Sequence, residues 1–262
     1  MRRATFAVSL LLLPWLADAA IAQGGGGFRR QRAEEIMNRV GAYFTDVKGP
    51  LPDGDKAGDL ATIDFVKAAA GAGQPTVLYL ADSSDDQDVR DQFERALFAN
   101  DELGIELRCF HCGHVDLKAE PLLAAKFQKQ APLFVVFDKD GKAIDTVPMS
   151  GYKPSAKGLE TALIKAAAGV VKPSLAAFAK DYGGLVRDLE QAMAKTKNAK
   201  ERLAKAGGDK GKKAEVEKDL AALEKEEQKL LVREQDLLTK LNLPARPADA
   251  KRLGNRDRGG RG

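Results

Sequence analysis

Residues 109–114 read CFHCGH, and these six positions hold both cysteines and both histidines of the chain. Thiolates and imidazoles exchange disulfides and bind soft metal ions, so three uses come into view: a redox pair, a metal site, or a core strand that carries them quietly. In a straight strand Cys109 and Cys112 stand about 10 Å apart on opposite faces, at about 3.3 Å per residue. A disulfide needs Cα atoms within roughly 7 Å, so a regular strand forbids the bond. The same alternation puts Cys109 and His111 on one face and Phe110, Cys112 and His114 on the other. A tetrahedral zinc site would then need carboxylates or a second chain to complete it. Covalent haem attachment fails as well, because Gly113 separates Cys112 from His114.

A second register changes the chemistry. Leu103, Leu107 and Phe110 recur at helical spacing, which makes Cys109 the end of a short helix and Phe110 the start of the strand. A kink there brings the thiols together, with Gly113 marking a bulge. Cys109 and Cys112 are then the candidate catalytic pair of an unorthodox thiol–disulfide oxidoreductase, the lower-pKa thiol attacking and the other resolving. Cys109, His111, Cys112 and His114 are the candidate metal ligands, and soft thiolates favour Cu(I) or Zn. Buried, unreactive cysteines are the preferred reading, because free cysteine is among the most buried residue types. No cofactor is expected in that case.

The elements that must position this cluster begin beyond a leader. Arg2 and Arg3, the apolar run Thr5–Leu16 and the small residues of Ala20-Ile21-Ala22 predict a secretory signal cleaved after Ala22. Cleavage removes two arginines and one aspartate and takes the formal charge from +4 to +3, a balance that names no polyanionic partner. No later run reaches the roughly 20 apolar residues of a membrane span. Two cysteines are too few for a disulfide-stapled scaffold, so the fold must rely on a packed core.

Gln23–Gly27 is a glycine-rich linker, and Ile36, Val40, Tyr43 and Phe44 predict one amphipathic helix within 28–44. The loop GPLPDGDKAGD over 49–59 carries Asp53, Asp55 and Asp59 without the glycine and closing glutamate of a calcium loop, and reads as a solvated turn. A helix follows over 59–70, then a buried strand TVLYLA at 76–81 and a helix over 88–100. After the cysteine cluster come a helix over 121–129, the strand LFVVF at 133–137, a turn at DKDGKA into a strand over 144–147, and a helix over 155–168.

This order, with Ala131-Pro132-Leu133-Phe134-Val135-Val136-Phe137-Asp138-Lys139-Asp140-Gly141-Lys142 as its strongest local match, resembles the thioredoxin-like fold. The resemblance covers about residues 60–168 and implies a cis Pro132 beside the active site. It also implies a Cys-x-x-Cys pair just after the central strand, but those positions are Ser84 and Gln87, which cannot exchange disulfides. Ser84-Asp85-Asp86-Gln87 instead fits a capping box with Ser84 as N-cap. A lesser alternative keeps Ser83 and Ser84, with Pro132, as polar contacts of a substrate groove.

Beyond Pro173 the pattern becomes heptad. Phe178, Tyr182, Leu185, Leu189, Ala192, Thr196, Ala199 and Leu203 form one stripe; Val216, Leu220, Leu223, Glu227, Leu230, Glu234, Leu237 and Leu241 form another. GGDKGKK between them predicts an antiparallel helical hairpin with arms of about 40 Å. Gly183-Gly184 and the seam glutamates are its faults. From Leu243 a tail rich in Pro, Gly and Arg is expected to be disordered and attracted to anionic envelope surfaces.

The expected fold class is therefore α/β, a thioredoxin-like mixed sheet flanked by helices and followed by a C-terminal antiparallel coiled-coil hairpin. The expected organisation is a signal at 1–22, linker and helix at 23–58, the thioredoxin-like domain at 59–170, the hairpin at 173–242 and the basic tail at 243–262. The expected role is a secreted or periplasmic binding or assembly module, redox-inactive at the usual site. Its arm would engage a protein partner or a second copy of itself; neither nucleic acid nor a membrane span is expected.

Overall fold

The computed structural model describes residues 32–48, 57–207, 209–241, 243–244 and 246–254. The leader at 1–22, the linker at 23–27, the loop bearing Asp53 and Asp55, and the RGGRG ending lie outside the described residues.

The elements in chain order are α1 (Glu34–Val40), β1 (Tyr43–Asp46), α2 (Asp64–Gly71), β2 (Thr76–Ala81), α3 (Gln87–Phe98), α4 (Asp101–Leu107) and β3 (His111–Asp116). They continue with α5 (Pro121–Phe127), β4 (Leu133–Phe137), β5 (Ala143–Pro148), α6 (Ala156–Ala166), α7 (Leu175–Lys205), α8 (Lys210–Thr239) and β6 (Lys251–Arg252). Six strands form one mixed sheet in the order β5-β4-β2-β3-β1-β6. β2, β3 and β1 run parallel, whereas β4 and β5, and β6 at the other edge, are antiparallel to their neighbours.

Every residue of β2 and β4 is buried, as unbroken apolar runs require when both faces of a strand are covered. Strand alternation then sorts the core into two layers. Leu78, Leu80, Val115, Leu133 and Val135 meet Val66 of α2 and Leu123 of α5 on one face. Val77, Tyr79, Phe134 and Val136 share the other with apolar side chains of α1, α3, α4, α6 and α7.

Several expectations are corrected. The helix expected over 28–44 stops at Val40, and Tyr43 and Phe44 lie in β1 instead. Phe44 is 1% exposed and packs edge-on against Tyr79, so burial in the sheet overrides the helical spacing. The helix expected from Asp59 is a 3-10 turn over Ala57–Thr62 followed by α2. The helix after β2 is capped by Asp86, not Ser84: the Asp86 carboxylate accepts from the backbone N–H of Asp88 at 2.8 Å and of Val89 at 3.2 Å. Gly183-Gly184 does not interrupt the first arm, because α7 runs unbroken from Leu175 to Lys205.

α7 and α8 form the helical hairpin, and the heptad stripes face inward. Phe178, Tyr182, Leu185, Leu189, Ala192, Thr196 and Ala199 are buried along α7, while Val216 and Glu234 are buried on α8. The base of α7 packs on α4 and α6. Part of the tail expected to be disordered is also placed. Lys251 and Arg252 pair antiparallel with Phe44 and Tyr43, and the Leu253 N–H donates to the Ala42 carbonyl at 3.0 Å. The open edge of β1 supplies the unpaired backbone groups that this strap satisfies. No helix among the described residues is long and apolar enough to cross a membrane.

Candidate functional site

The cysteine cluster adopts the second register. α4 ends at Leu107, Cys109 lies in the following turn, and β3 begins at His111, whose N–H donates to the Pro75 carbonyl at 2.9 Å. From there strand alternation separates the side chains. His111 lies against the Phe65 ring at 4.3 Å between centroids, on the α2 side. Cys112 and His114 lie on the opposite side. The Cys112 thiol reaches the Leu107 carbonyl at 3.4 Å, while His114 lies beside Tyr79 and its Nδ1 is 3.1 Å from Asp46 Oδ1. The two histidines therefore do not converge with the cysteines on a common point.

Both cysteines are free thiols, Cys109 2% and Cys112 9% exposed. Burial pushes the Cys109 thiol up to about 12, an effect that nearby Arg108 opposes and Glu106 assists. Burial, with Cys109 as a neighbour, pushes Cys112 up as well. A thiol attacks disulfides and binds metal as thiolate, the form that burial of these two side chains disfavours. Glycine at 113 is required sterically, since a Cβ there would lie 2.6 Å from a Val47 methyl and 2.7 Å from the Phe65 ring.

At the carboxyl ends of the parallel strands, the loop after β2 is satisfied within itself. Asp82 is 4% exposed, and its Oδ1 accepts from the Ser84 N–H at 2.8 Å and from the Ser84 hydroxyl. Gln128 Nε2 donates to Asp82 Oδ2 at 3.4 Å, and the Ser83 N–H donates to Asp116 Oδ1 at 3.0 Å. Burial alone would raise the Asp116 carboxyl, but hydrogen bonds from Ser83 and Lys118 hold it below the usual range. The Tyr152 hydroxyl donates to Asp85. Ser83 and Ser84 are exposed, whereas Pro132 is buried, its peptide bond to Ala131 is cis, and its carbonyl accepts from the Met149 N–H at 2.7 Å. Ser84 thus has its hydroxyl committed to Asp82, and neither His111 nor His114 stands in this loop as a base for it.

A second polar centre joins the hairpin to the domain. Glu234 of α8, 8% exposed, takes two hydrogen bonds from Arg39 Nε, at 2.9 and 3.0 Å, and one from Nη2 at 2.9 Å. The Tyr182 hydroxyl donates to Glu234 Oε1 at 2.7 Å and itself accepts from Arg108 Nη1 at 2.6 Å. The four side chains come from α1, α7, α8 and the turn after α4. Glu234 and Tyr182 gave a signal in the sequence, as members of the two heptad stripes, whereas Arg39 and Arg108 gave none; Arg39 is 195 positions from Glu234.

Beside this network lies a cavity of about 550 Å³, walled by the first residues of β1, the turn before β3, the end of α8 and the strap. Leu107, Phe110 and Leu238 supply apolar wall; Arg108 and Arg246 supply charge. The Arg246 guanidinium lies over the Tyr43 ring at 3.6 Å, and its Nη1 donates to the Asn38 carbonyl at 2.9 Å.

Comparison with family models, curated proteins and solved structures finds no match to this chain.

Proposed function

We propose that the chain is a thioredoxin-like binding or assembly module, secreted or periplasmic, that performs no thiol–disulfide exchange and works through its helical hairpin. The carrying observation is the pair of substitutions at the usual redox position. Ser84 and Gln87 stand there, at a helix capped by Asp86, while the cysteines of the chain lie elsewhere as buried thiols. The strand order β5-β4-β2-β3-β1 and the cis bond before Pro132 support the thioredoxin-like reading.

The hairpin supports the partner reading. Its base is held to the domain, and on its outer face α8 carries Val232, half exposed, among charged side chains. A protein partner or a second copy of this chain is the natural occupant of such an arm. The basic tail adds attraction to an anionic envelope surface.

Two measurements on the purified chain test the proposal. In a disulfide-reduction assay with a dithiol donor the expected rate is that of the donor alone; a catalysed rate that Cys109→Ala abolishes would overturn the redox-inactive reading. In pull-down from an envelope fraction, and in light scattering at two concentrations, intact chain should capture a partner or self-associate. A chain with polar substitutions along the outer face of α8, Val232→Lys among them, should not. Equal capture and equal mass for both chains would remove the arm from the proposal.

A further inference from the structure

Arg108 and Arg246 face one cavity, and among the described residues neither has a carboxylate bound to it. Arg108 spends one nitrogen on the Tyr182 hydroxyl and lies over that ring at 5.3 Å; Arg246 is stacked on Tyr43 and bonded to a backbone carbonyl. Glu234, an acid of the hairpin junction, is occupied by Arg39 and Tyr182. Burial lowers the Arg246 pKa; Tyr43 opposes that shift and the neighbouring Arg108 cation adds to it.

The rest of the cavity is suited to an organic ligand rather than to a bare ion. Its volume of about 550 Å³ lies within the range of small-molecule sites. Leu107, Phe110, Leu238, Leu243 and Pro244 give it an apolar wall. Thr45 also lines it, and its buried hydroxyl has no hydrogen-bond partner among the described residues. The strap that delivers Arg246 is pinned beyond the cavity by Lys251 to Asp46 at 2.6 Å and by Arg252 to Glu34 at 3.0 Å. One wall is therefore a returning chain segment held at its far end.

We infer that this cavity binds a small organic oxyanion, a phosphate monoester or carboxylate on an apolar body, with the charged head between Arg108 and Arg246 and the body against Leu107, Phe110 and Leu238. Guanidinium groups present paired N–H donors that match both oxyanions. The site is independent of the arm's outer face and of the redox position, so it stands or falls separately from the module proposed above.

The test is calorimetric titration of the full chain at low ionic strength with phenyl phosphate, phenylacetate and the uncharged 2-phenylethanol. At least one anion should saturate a single site, with the alcohol weaker by about tenfold or more, the factor expected for losing a charge-assisted hydrogen bond. Tighter binding of phenyl phosphate assigns the site to phosphate monoesters; tighter binding of phenylacetate assigns it to carboxylates. Arg246→Gln should weaken the preferred anion by about tenfold in chain shown to be folded by its circular dichroism spectrum, and added salt should weaken it progressively. Arg108→Gln should act in the same direction, and Arg246→Gln keeps the test valid if that variant does not fold. Saturation by neither anion, equal affinity for the alcohol, or unchanged affinity in folded Arg246→Gln would each overturn the inference.

Discussion

Tyr182 donates its phenolic hydrogen to Glu234 across the two arms of the hairpin, at 2.7 Å, and the same carboxylate receives Arg39 from the first helix. One of the two glutamates in the α8 seam thereby holds α1, α7 and α8 together. Removing it leaves a guanidinium and a phenol without their acceptor. Glu234→Ala should therefore destabilise the protein by about 2–4 kcal/mol in urea unfolding, and Tyr182→Phe by about 1 kcal/mol. A double-mutant cycle between positions 39 and 234 should show coupling of about 1 kcal/mol or more. Additive effects would mean that the ion pair contributes nothing to docking.

Glu106 sets a pH dependence. It is 2% exposed on α4, its Oε2 has no hydrogen-bond partner among the described residues, and burial, with Glu160 and Glu102 nearby, pushes its carboxyl from 4.5 up to about 7. The folded state therefore holds this proton where the unfolded state has released it. Its contribution to stability falls as pH rises from about 4.5 to about 7, then levels off. Glu106→Gln should be more stable than the parent at pH 8 by about 2 kcal/mol and should flatten that slope. A parent whose stability rises through this window, with the variant parallel to it, would exclude Glu106 as the cause.

Two glycines should respond oppositely to alanine. A Cβ on Gly104 would lie 1.8 Å from the Val40 carbonyl oxygen, because α4 crosses the end of α1 in direct backbone contact. Gly104→Ala should cost about 3 kcal/mol or abolish soluble protein. Gly184 lies within α7, and among the described residues nothing comes within 4 Å of its Cβ position. Gly184→Ala should stabilise by about 0.5–1 kcal/mol, the helix preference of alanine. Thermal melts of the two variants decide this.

The thiols should be silent in the folded protein. With Cys109 pushed up to about 12 and Cys112 raised too, a chromogenic disulfide reagent at pH 8 should react slowly at both, and two equivalents should appear promptly on denaturation. Rapid native reaction at either would show that the turn between α4 and β3 opens readily.

The elements readable without a structure were those whose signal is local and periodic. β2 and β4 are short apolar runs buried on both faces, and the α7 and α8 stripes repeat at heptad spacing, so the residues that needed covering announced themselves. The composition of CFHCGH declared a chemical question in the same way. Its answer depended on whether the chain bent at Cys109, where the Cys109 N–H donates to the Glu106 carbonyl and the Phe110 N–H to the Leu107 carbonyl before His111 bonds to the Pro75 carbonyl of the sheet.

Partnerships across long stretches of chain came only from tertiary structure. Tyr43 and Phe44 follow a helical period and yet form a strand, because β6 offers them backbone pairing and Tyr79 gives Phe44 a ring to pack on. Ser84 was the expected cap, but the buried Asp82 carboxylate occupies its hydroxyl and Asp86 caps the helix instead. A compositionally loose tail became ordered because the sheet had an edge to fill. By itself the sequence determined which residues must be buried and with what period. Tertiary structure decided which charges meet, because Arg39 and Glu234, or Arg108 and Arg246, are brought together by packing between elements and not by spacing along the chain.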